Sequence, residues 1–250
     1  MSMLTNNPFV WEKQMLYLPQ GKPVRQQVNP ARINLPEAMG KFRSGKFTGY
    51  LRFDAPQGAG IILFHHGKLI SSFFSSSEKA SQQIAYDAIA RIFEMSIQGH
   101  SRLSIYQLSV DLVFGLHALL QGRYLHRAED LRQFDVAAML EKITEQMLSV
   151  CVRVYTDDKV ALIFFDSGYA LGFFHEGSTE LQPTADLEQS VAALPDARLD
   201  LVEIQNPDQI VLADLMGSAD LGPIWQRVRR EMLAEHHRHG EEVVLAGKQG

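Results

Sequence analysis

One hairpin pattern occurs twice in this chain of 250 residues. Residues 60–74 and 161–174 each contain an apolar run, a polar pair, a glycine and a second apolar run that ends in Phe-Phe. The two copies align without a gap and place Gly67 on Gly168. Glycine accepts a positive φ between two strands because it has no Cβ to clash. The repeat therefore predicts two related β-rich units.

Further elements surround each hairpin in the same order. A strand precedes the hairpin, and a segment with apolar residues three or four apart, typical of a helix, follows it and leads to a last strand. Each unit is therefore predicted to run β-β-β-α-β. The predicted flanking strands are 47–53, 102–108, 151–155 and 198–204, and the predicted helices are 77–96 and 185–194.

This order predicts an α+β fold, in which two pseudo-repeated units of β-meander, helix and strand are joined by helices and followed by a C-terminal helical segment. Helices are also expected at 35–42, 111–120 and 134–150. The predicted regions are an extended proline-rich N-terminal arm at 1–34, a first α+β unit with a trailing helix at 35–122, a second α+β unit at 134–205, C-terminal helices at 206–240 and a flexible tail at 241–250.

Composition and charge narrow the class of protein. The net charge of −5 offers no overall attraction to nucleic acid. No apolar stretch approaches the roughly 20 residues that span a bilayer, and the N-terminus lacks a secretion signal. The single cysteine, Cys151, excludes an internal disulfide framework and suits a reducing compartment. We therefore expect a cytoplasmic protein that binds no nucleic acid and inserts into no membrane.

Two groups of histidines are candidates for metal binding or base chemistry. In the adjacent pair His65-His66 the imidazoles point in different directions, so they cannot bind one ion side by side without strain. His236 and His239 share a helix face but lack rigid third and fourth ligands. We interpret the first pair as a polar turn and the second as an exposed helix end.

The remaining reactive residues also favour structural roles. Cys151 lies at the start of a predicted strand with no base beside it, and it is interpreted as a small buried hydrophobe. Asp157-Asp158 is typical of a turn. The chain has no glycine-rich phosphate loop and no signature of a zinc or serine hydrolase. We predict no enzyme activity, no cofactor, and no catalytic or metal-binding residue.

The side chains best suited to contact a partner are aromatic residues, Met and Arg, which interface cores favour. Trp225, Arg229 and Met232 lie on the predicted C-terminal helix, whose alternative is to pack on its own body. In each Phe-Phe pair the two side chains face opposite sides of a sheet, so one of them needs a second covering layer. Phe74 and Phe174 are therefore candidate contacts with a helix, the arm or another subunit.

Thr48-Gly49 leads to the first hairpin at 60–70, and a helix containing Ala80 follows. Over residues 47 to about 108 this pattern resembles the bacterial family called DUF4388 or PATAN, whose members read roughly Thr-Gly-x-Leu and then Gly-x-Ile-x-Phe-x-x-Gly-x-Leu. The resemblance implies a non-catalytic module of signalling proteins, often beside response-regulator domains. The second unit is then a divergent copy.

Three functional hypotheses follow. The leading one is a non-catalytic bacterial regulatory or protein-interaction module of a signalling system, with a protein partner and possible homodimerisation. A Roadblock-like regulator of a small GTPase is an alternative, because a helix at 134–150 precedes the second meander. The enzymatic alternative is an uncharacterised hydrolase with a dispersed active site around His65, His66 or His100.

Overall fold

A computed structural model of the chain describes residues 18, 21–77, 82–121, 123–157, 159–175, 181–184, 190–204 and 214–246, with the backbone alone for 121 and 235–246. The strands in these ranges are β1 (Lys22–Val28), β2 (Gly49–Ala55), β3 (Gly58–His65), β4 (Lys68–Ser76), β5 (Gln82–Ile84), β6 (Arg102–Gln107), β7 (Arg123–Asp130), β8 (Val150–Tyr155), β9 (Val160–Asp166), β10 (Tyr169–His175) and β11 (Arg198–Glu203). The helices are α1 (Leu35–Ser44), α2 (Ala85–Ile97), α3 (Val110–Gln121), α4 (Val136–Glu145), α5 (Leu215–Ser218) and α6 (Leu221–Ala246), with short 3-10 turns at Pro30–Arg32 and Val191–Ala193.

The strands form two antiparallel sheets, which confirms the predicted α+β class. The first sheet has the order β1-β6-β2-β3-β4-β5, and the second has the order β10-β9-β8-β11-β7. In both, the last strand of the unit returns to pair beside the first strand of the meander. Read from β1 and from β7, the two orders match over five strands, with β1 corresponding to β7 and β4 to β10, and β5 has no counterpart among the named strands of the second sheet.

Helix α3 lies between the two sheets. Its sequence is apolar on nearly all sides, which is typical of a helix that is buried all round. Leu112 and Leu116 are fully buried in a core that includes Tyr50 from the first sheet and Phe164 from the second. The helix approaches the second sheet so closely at Gly115 that a Cβ there would overlap the ring of Phe164.

Helices also cover the outer faces of the sheets. On the first sheet, α1, α2 and α6 pack over a core of large apolar side chains. On the second sheet, α4 covers a smaller core through Met139 and Ile143. The molecule is therefore layered as outer helices, first sheet, α3, second sheet and α4.

Local hydrogen bonds repeat between the units at a constant offset of 101 residues. His66 and Ser167 both have a positive φ, of 47° and 49°, in the hairpin turns. The His66 N–H donates to Thr48 Oγ1 at 3.0 Å, and the Ser167 N–H donates to Ser149 Oγ at 3.0 Å. The helix caps repeat too, since Asn34 Oδ1 and Asp135 Oδ1 each accept a hydrogen bond from the backbone N–H three residues later. The hairpin and the preceding helix are thus one duplicated device.

The duplication extends to the outer strands β1 and β7. Gln27 and Ala128 have matching positive φ values of 55° and 54°. The Gln27 N–H donates to Ser104 Oγ at 3.2 Å, and the Ala128 N–H donates to Asp200 Oδ1 at 2.7 Å. Each unit therefore begins with an edge strand that the sequence interpretation did not assign to it.

Several predicted boundaries were wrong. The helix expected at 77–96 begins only at Ala85, because residues 82–84 pair with β4 as the edge strand β5. Residues 22–28 of the expected arm pair with β6, and residues 123–130 form a strand that was not predicted. In both edge strands most side chains are at least partly exposed, so they lack the apolar alternation that marks a half-buried strand.

The later helices also differ from expectation. The helix expected at 134–150 ends at Glu145, because Met147 takes a positive φ and Val150 enters β8. In the segment expected as helix 185–194, residues 185–189 lie outside the described ranges, and Val191–Ala193 is a 3-10 turn. Helix α6 continues to Ala246 and so includes residues assigned to a tail. None of the helices in the described part of the chain is long and apolar enough to cross a bilayer.

Candidate functional site

Four of the five predicted partner contacts are buried inside the chain. Trp225 and Met232 are 8% and 6% exposed, and the indole packs edge-on against Phe93 with ring centroids 5.1 Å apart. Phe74 lies in the same outer core, and Phe174 lies in the core around α3. Only Arg229 lies on the surface.

The C-terminal helix therefore packs on its own body, which was the alternative to a partner contact, and its apolar stripe is not available to a partner. The first Phe-Phe pair illustrates the same point, since Phe73 faces the α3 core and Phe74 faces the outer helices. Both faces of the first sheet are covered from within the chain. Any surface for a partner lies elsewhere.

The histidines do not converge. His65 and His66 lie at the hairpin turn with ring centroids 4.4 Å apart, and His65 also packs against Phe114. Burial, with His66 and Lys68 nearby, lowers the pKa of His65. His100 lies at the opposite end of the first sheet, as the pairing along β2 shows. Phe64, next to His65, pairs with Gly49 at the start of β2, whereas the strand that follows His100 begins opposite Asp54 near the end of β2. Five residues of β2 separate these ends by roughly 17 Å.

The other candidate groups have structural surroundings. Cys151 is fully buried under α3, and burial raises the pKa of its thiol. The described side chains contain no group of three or more His, Cys, Asp or Glu residues that could hold one metal ion. Asp158 and the side chains of His236 and His239 lie outside the described parts of the chain.

Sequence reasoning missed a buried ion pair on the α3 side of the second sheet. Arg153 Nη2 lies 3.0 Å from Asp200 Oδ2, and the two side chains are 5% and 0% exposed. The guanidinium also lies over the ring of Tyr155, 4.2 Å from its centroid. At the same place in the first unit, Arg52 pairs with its neighbour Asp54 at 2.9 Å. The two units thus use one arginine position with different acidic partners.

The outer edges of the two meanders differ more than the two arginine positions do. In the first unit, Asp214 covers the edge of β4, where its Oδ1 accepts a hydrogen bond from the Leu69 N–H at 3.3 Å. Its other oxygen lies 3.3 Å from Arg43 Nη2. The Tyr86 hydroxyl donates to the Leu215 carbonyl at 2.9 Å and fixes the same segment. Leu69 and Ile70 on this edge are 0% and 5% exposed, Leu69 in the core under the outer helices and Ile70 in the core around α3.

The corresponding edge of the second unit, which we call the β10 edge, consists of Tyr169, Ala170 and Leu171. Tyr169 and Leu171 are 72% and 53% exposed. These residues stand at the positions of Lys68, Leu69 and Ile70. The next part of β10 is paired, since Phe173 exchanges two hydrogen bonds with Gln182. The exposed edge is therefore short and apolar.

Beside this edge, Met147 is 62% exposed in the turn after α4. The hairpin turn packs on that region, because the Gly168 N–H donates to the Leu148 carbonyl at 3.0 Å. Met147 occupies the position of Lys46 in the first unit. At two equivalent surface positions, the first unit thus has lysines where the second has Met and Tyr.

A second feature of the second unit is a cavity of about 260 Å³ between α4 and the strands β7 and β11. Its lining residues are Arg123, Leu125, His126, Met139, Lys142, Ile143, Gln146, Leu148, Leu201 and Glu203. In the first unit, Phe42 and Phe47 stand at the positions of Ile143 and Leu148, and their rings pack against each other and against Phe64, with centroids 4.8 to 6.1 Å apart.

Part of the chain matches the model of a known family. No curated protein and no solved structure matches the chain. Residues 16–120 match the model of a family, DUF2226, described as an uncharacterized protein conserved in archaea. The match covers less than half of the chain and includes the first unit through α3. It overturns the resemblance to the bacterial DUF4388 or PATAN family, whose turn glycines and apolar strands occur in many β-rich domains.

Proposed function

We propose that this protein is a non-catalytic regulatory or protein-interaction module that works as a homodimer joined through the β10 edge. The observation that carries the proposal is the difference between two equivalent edges. The edge of β4 is covered by the chain's own Asp214, whereas Tyr169 and Leu171 are more than half exposed. Proteins usually protect such edges with charged side chains or a covering segment. The β10 edge carries no charged side chain, and none of the described segments covers it.

The β10 edge is complementary to itself. By correspondence with Leu69, the Ala170 N–H points away from the sheet. If two copies pair antiparallel with Ala170 on the twofold axis, each Ala170 N–H donates to the other Ala170 carbonyl, and Tyr169 lies opposite Leu171 twice. Aromatic and aliphatic side chains in such cross-strand positions stabilise a sheet.

Electrostatics favours self-association through the β10 edge over self-association through the equivalent edge of the first unit. The β10 edge and Met147 carry no ionisable charge near neutral pH, so two copies meet without repulsion. The corresponding residues of the first unit include Lys46 and Lys68, which would place like charges together across a twofold axis. Three strand residues form a small interface, so we expect a weak, reversible dimer in the size class below about 1,200 Å².

The test is sedimentation velocity of the full chain over a range of concentrations. We expect a monomer–dimer equilibrium that Tyr169→Lys combined with Leu171→Lys abolishes, since the two substitutions place like charges opposite each other across the twofold axis. Leu233→Lys is the matched control, because Leu233 is 55% exposed on α6, away from the edge. Circular dichroism verifies that each variant is folded.

A wild-type chain that stays monomeric at all concentrations contradicts the proposal. So does a dimer that survives the double substitution, or one that the Leu233 control abolishes equally.

A further inference from the structure

The cavity of the second unit has the chemistry of a small-molecule site. Its floor is apolar and is formed by Leu125, Met139, Ile143, Leu148 and Leu201. Polar side chains lie at its margin: Arg123, His126, Lys142, Gln146 and Glu203. An apolar concavity with a few polar groups is the usual form of a ligand site, and about 260 Å³ lies just below the common range of roughly 300–1,000 Å³.

The duplication explains why space exists here. Ile143 and Leu148 stand at the positions of Phe42 and Phe47, whose rings lie 4.8 Å apart in the first unit. Two aliphatic side chains occupy less volume than two phenyl rings. The cavity remains although Met139 replaces the smaller Ala38. The second unit therefore keeps the fold while its packing between helix and edge strand is incomplete.

The charges at the margin select the ligand. Arg123 Nε lies 2.8 Å from Glu203 Oε2, so these two charges balance each other. Lys142, in the last turn of α4, has no carboxylate partner among the described residues. Its counterpart Lys41 is paired with Glu37 at 2.9 Å. The cavity thus combines an apolar floor with one unbalanced cation.

We propose that this cavity binds a small monocarboxylate with an apolar body, such as an aromatic acid or a short aliphatic acid. The apolar body fills the space above Ile143 and Leu148, and the carboxylate pairs with Lys142. The site lies at the β7 side of the second sheet, whereas the β10 edge lies at the opposite side. Ligand binding and dimerisation can therefore be tested separately.

The experiment is a titration of the full chain with benzoate, hexanoate and the neutral analogue benzyl alcohol, followed by NMR of the Met139 and Ile143 methyl groups. We expect saturable shifts with both acids and binding of benzoate about tenfold tighter than of benzyl alcohol, because a charge-assisted hydrogen bond is lost in the alcohol. Lys142→Met should remove this preference, and Lys41→Met is the matched control.

A second variant tests the cavity independently of charge. Ile143→Phe combined with Leu148→Phe introduces the residues of the first unit and should abolish binding of both acids while the chain stays folded. Absence of saturable shifts with both acids at millimolar concentration overturns the proposal. Equal affinity for benzoate and benzyl alcohol, unchanged binding in the Lys142 variant, or retained binding in the filled variant overturns it as well.

Discussion

The two units share one backbone plan and differ in what covers it. The first has α2, α6 and Asp214 over its outer face and edge, so its large side chains are buried within the chain. The second has a smaller outer core, an exposed β10 edge and a cavity beneath α4. Duplicated units can therefore divide structural and binding roles. Here the first unit is internally complete, and the second has the surfaces that suit other molecules.

The largest expected difference in stability between the two units is at the equivalent residues Arg153 and Arg52. Arg153→Met leaves the buried Asp200 without its ion-pair partner and should lower the free energy of unfolding by about 3–5 kcal/mol. Arg52→Met should cost only about 1 kcal/mol, because its partner Asp54 is 35% exposed and keeps contact with water. Urea denaturation measures both. Equal losses would show that the units do not differ at this position.

A second substitution tests the position of α3 between the sheets. Gly115→Ala would place a methyl group in the ring of Phe164, and the forced adjustment should cost about 1–3 kcal/mol in thermal or urea unfolding. Gly40→Ala on α1 is the control, since apart from its chain neighbours and the backbone of its own helix no heavy atom lies within 4 Å of the added Cβ. That control should be neutral or stabilising by up to about 1 kcal/mol. A harmless Gly115→Ala would be inconsistent with this close approach.

A single substitution removes the side chain that covers the edge of β4. Asp214→Ala takes away the acceptor of the Leu69 N–H and the partner of Arg43, with an expected cost of about 1 kcal/mol. Hydrogen exchange of the Leu69 amide should accelerate toward that of Ala170. Asp220→Ala, which removes only a local bond to the Gly222 N–H, should leave the Leu69 amide unchanged. Unchanged exchange in the Asp214 variant would contradict the assigned cover.

The smallest effect is a pH dependence at α3. Burial lowers the pKa of His117 below its ordinary value of 6.5 in the folded chain. The unfolded chain then binds the proton more readily, so this contribution to stability is present above pH 6.5 and is lost as the pH falls. His117→Gln should flatten the decline in stability between neutral and mildly acidic pH, whereas His100→Gln, at an exposed position, should not. Parallel declines in all three proteins would refute this assignment.

The apolar periodicity of the sequence was sufficient to predict the buried elements. The repeated hairpins, the meanders and α3 carry apolar patterns because their side chains enter a core, and their positions were predicted to within a few residues. Strands β1, β5 and β7 escaped detection because edge strands with exposed side chains leave no such pattern. Their pairing depends on neighbours far along the chain.

The candidate sites depended on information that periodicity does not contain. An amphipathic helix such as α6 indicates a buried face without saying whether its own chain or a partner covers it, and so Trp225 was a candidate for either contact. The replacements of Lys68 by Tyr169 and of Phe42 by Ile143 can be read from an alignment of the two halves in sequence. The exposure of the β10 edge and the empty space of the cavity are visible only in the structure.

The central claim, that Ala170 faces its own copy, is tested most directly by Ala170→Cys. Hydrogen-bonded pairs in antiparallel strands have Cα atoms about 5.5 Å apart, which suits a disulfide, and the native Cys151 is fully buried. Mild oxidation should give a disulfide-linked dimer of this variant far faster than of Val24→Cys, whose position on the edge strand β1 is 48% exposed. Equal rates of crosslinking in the two variants would contradict the account.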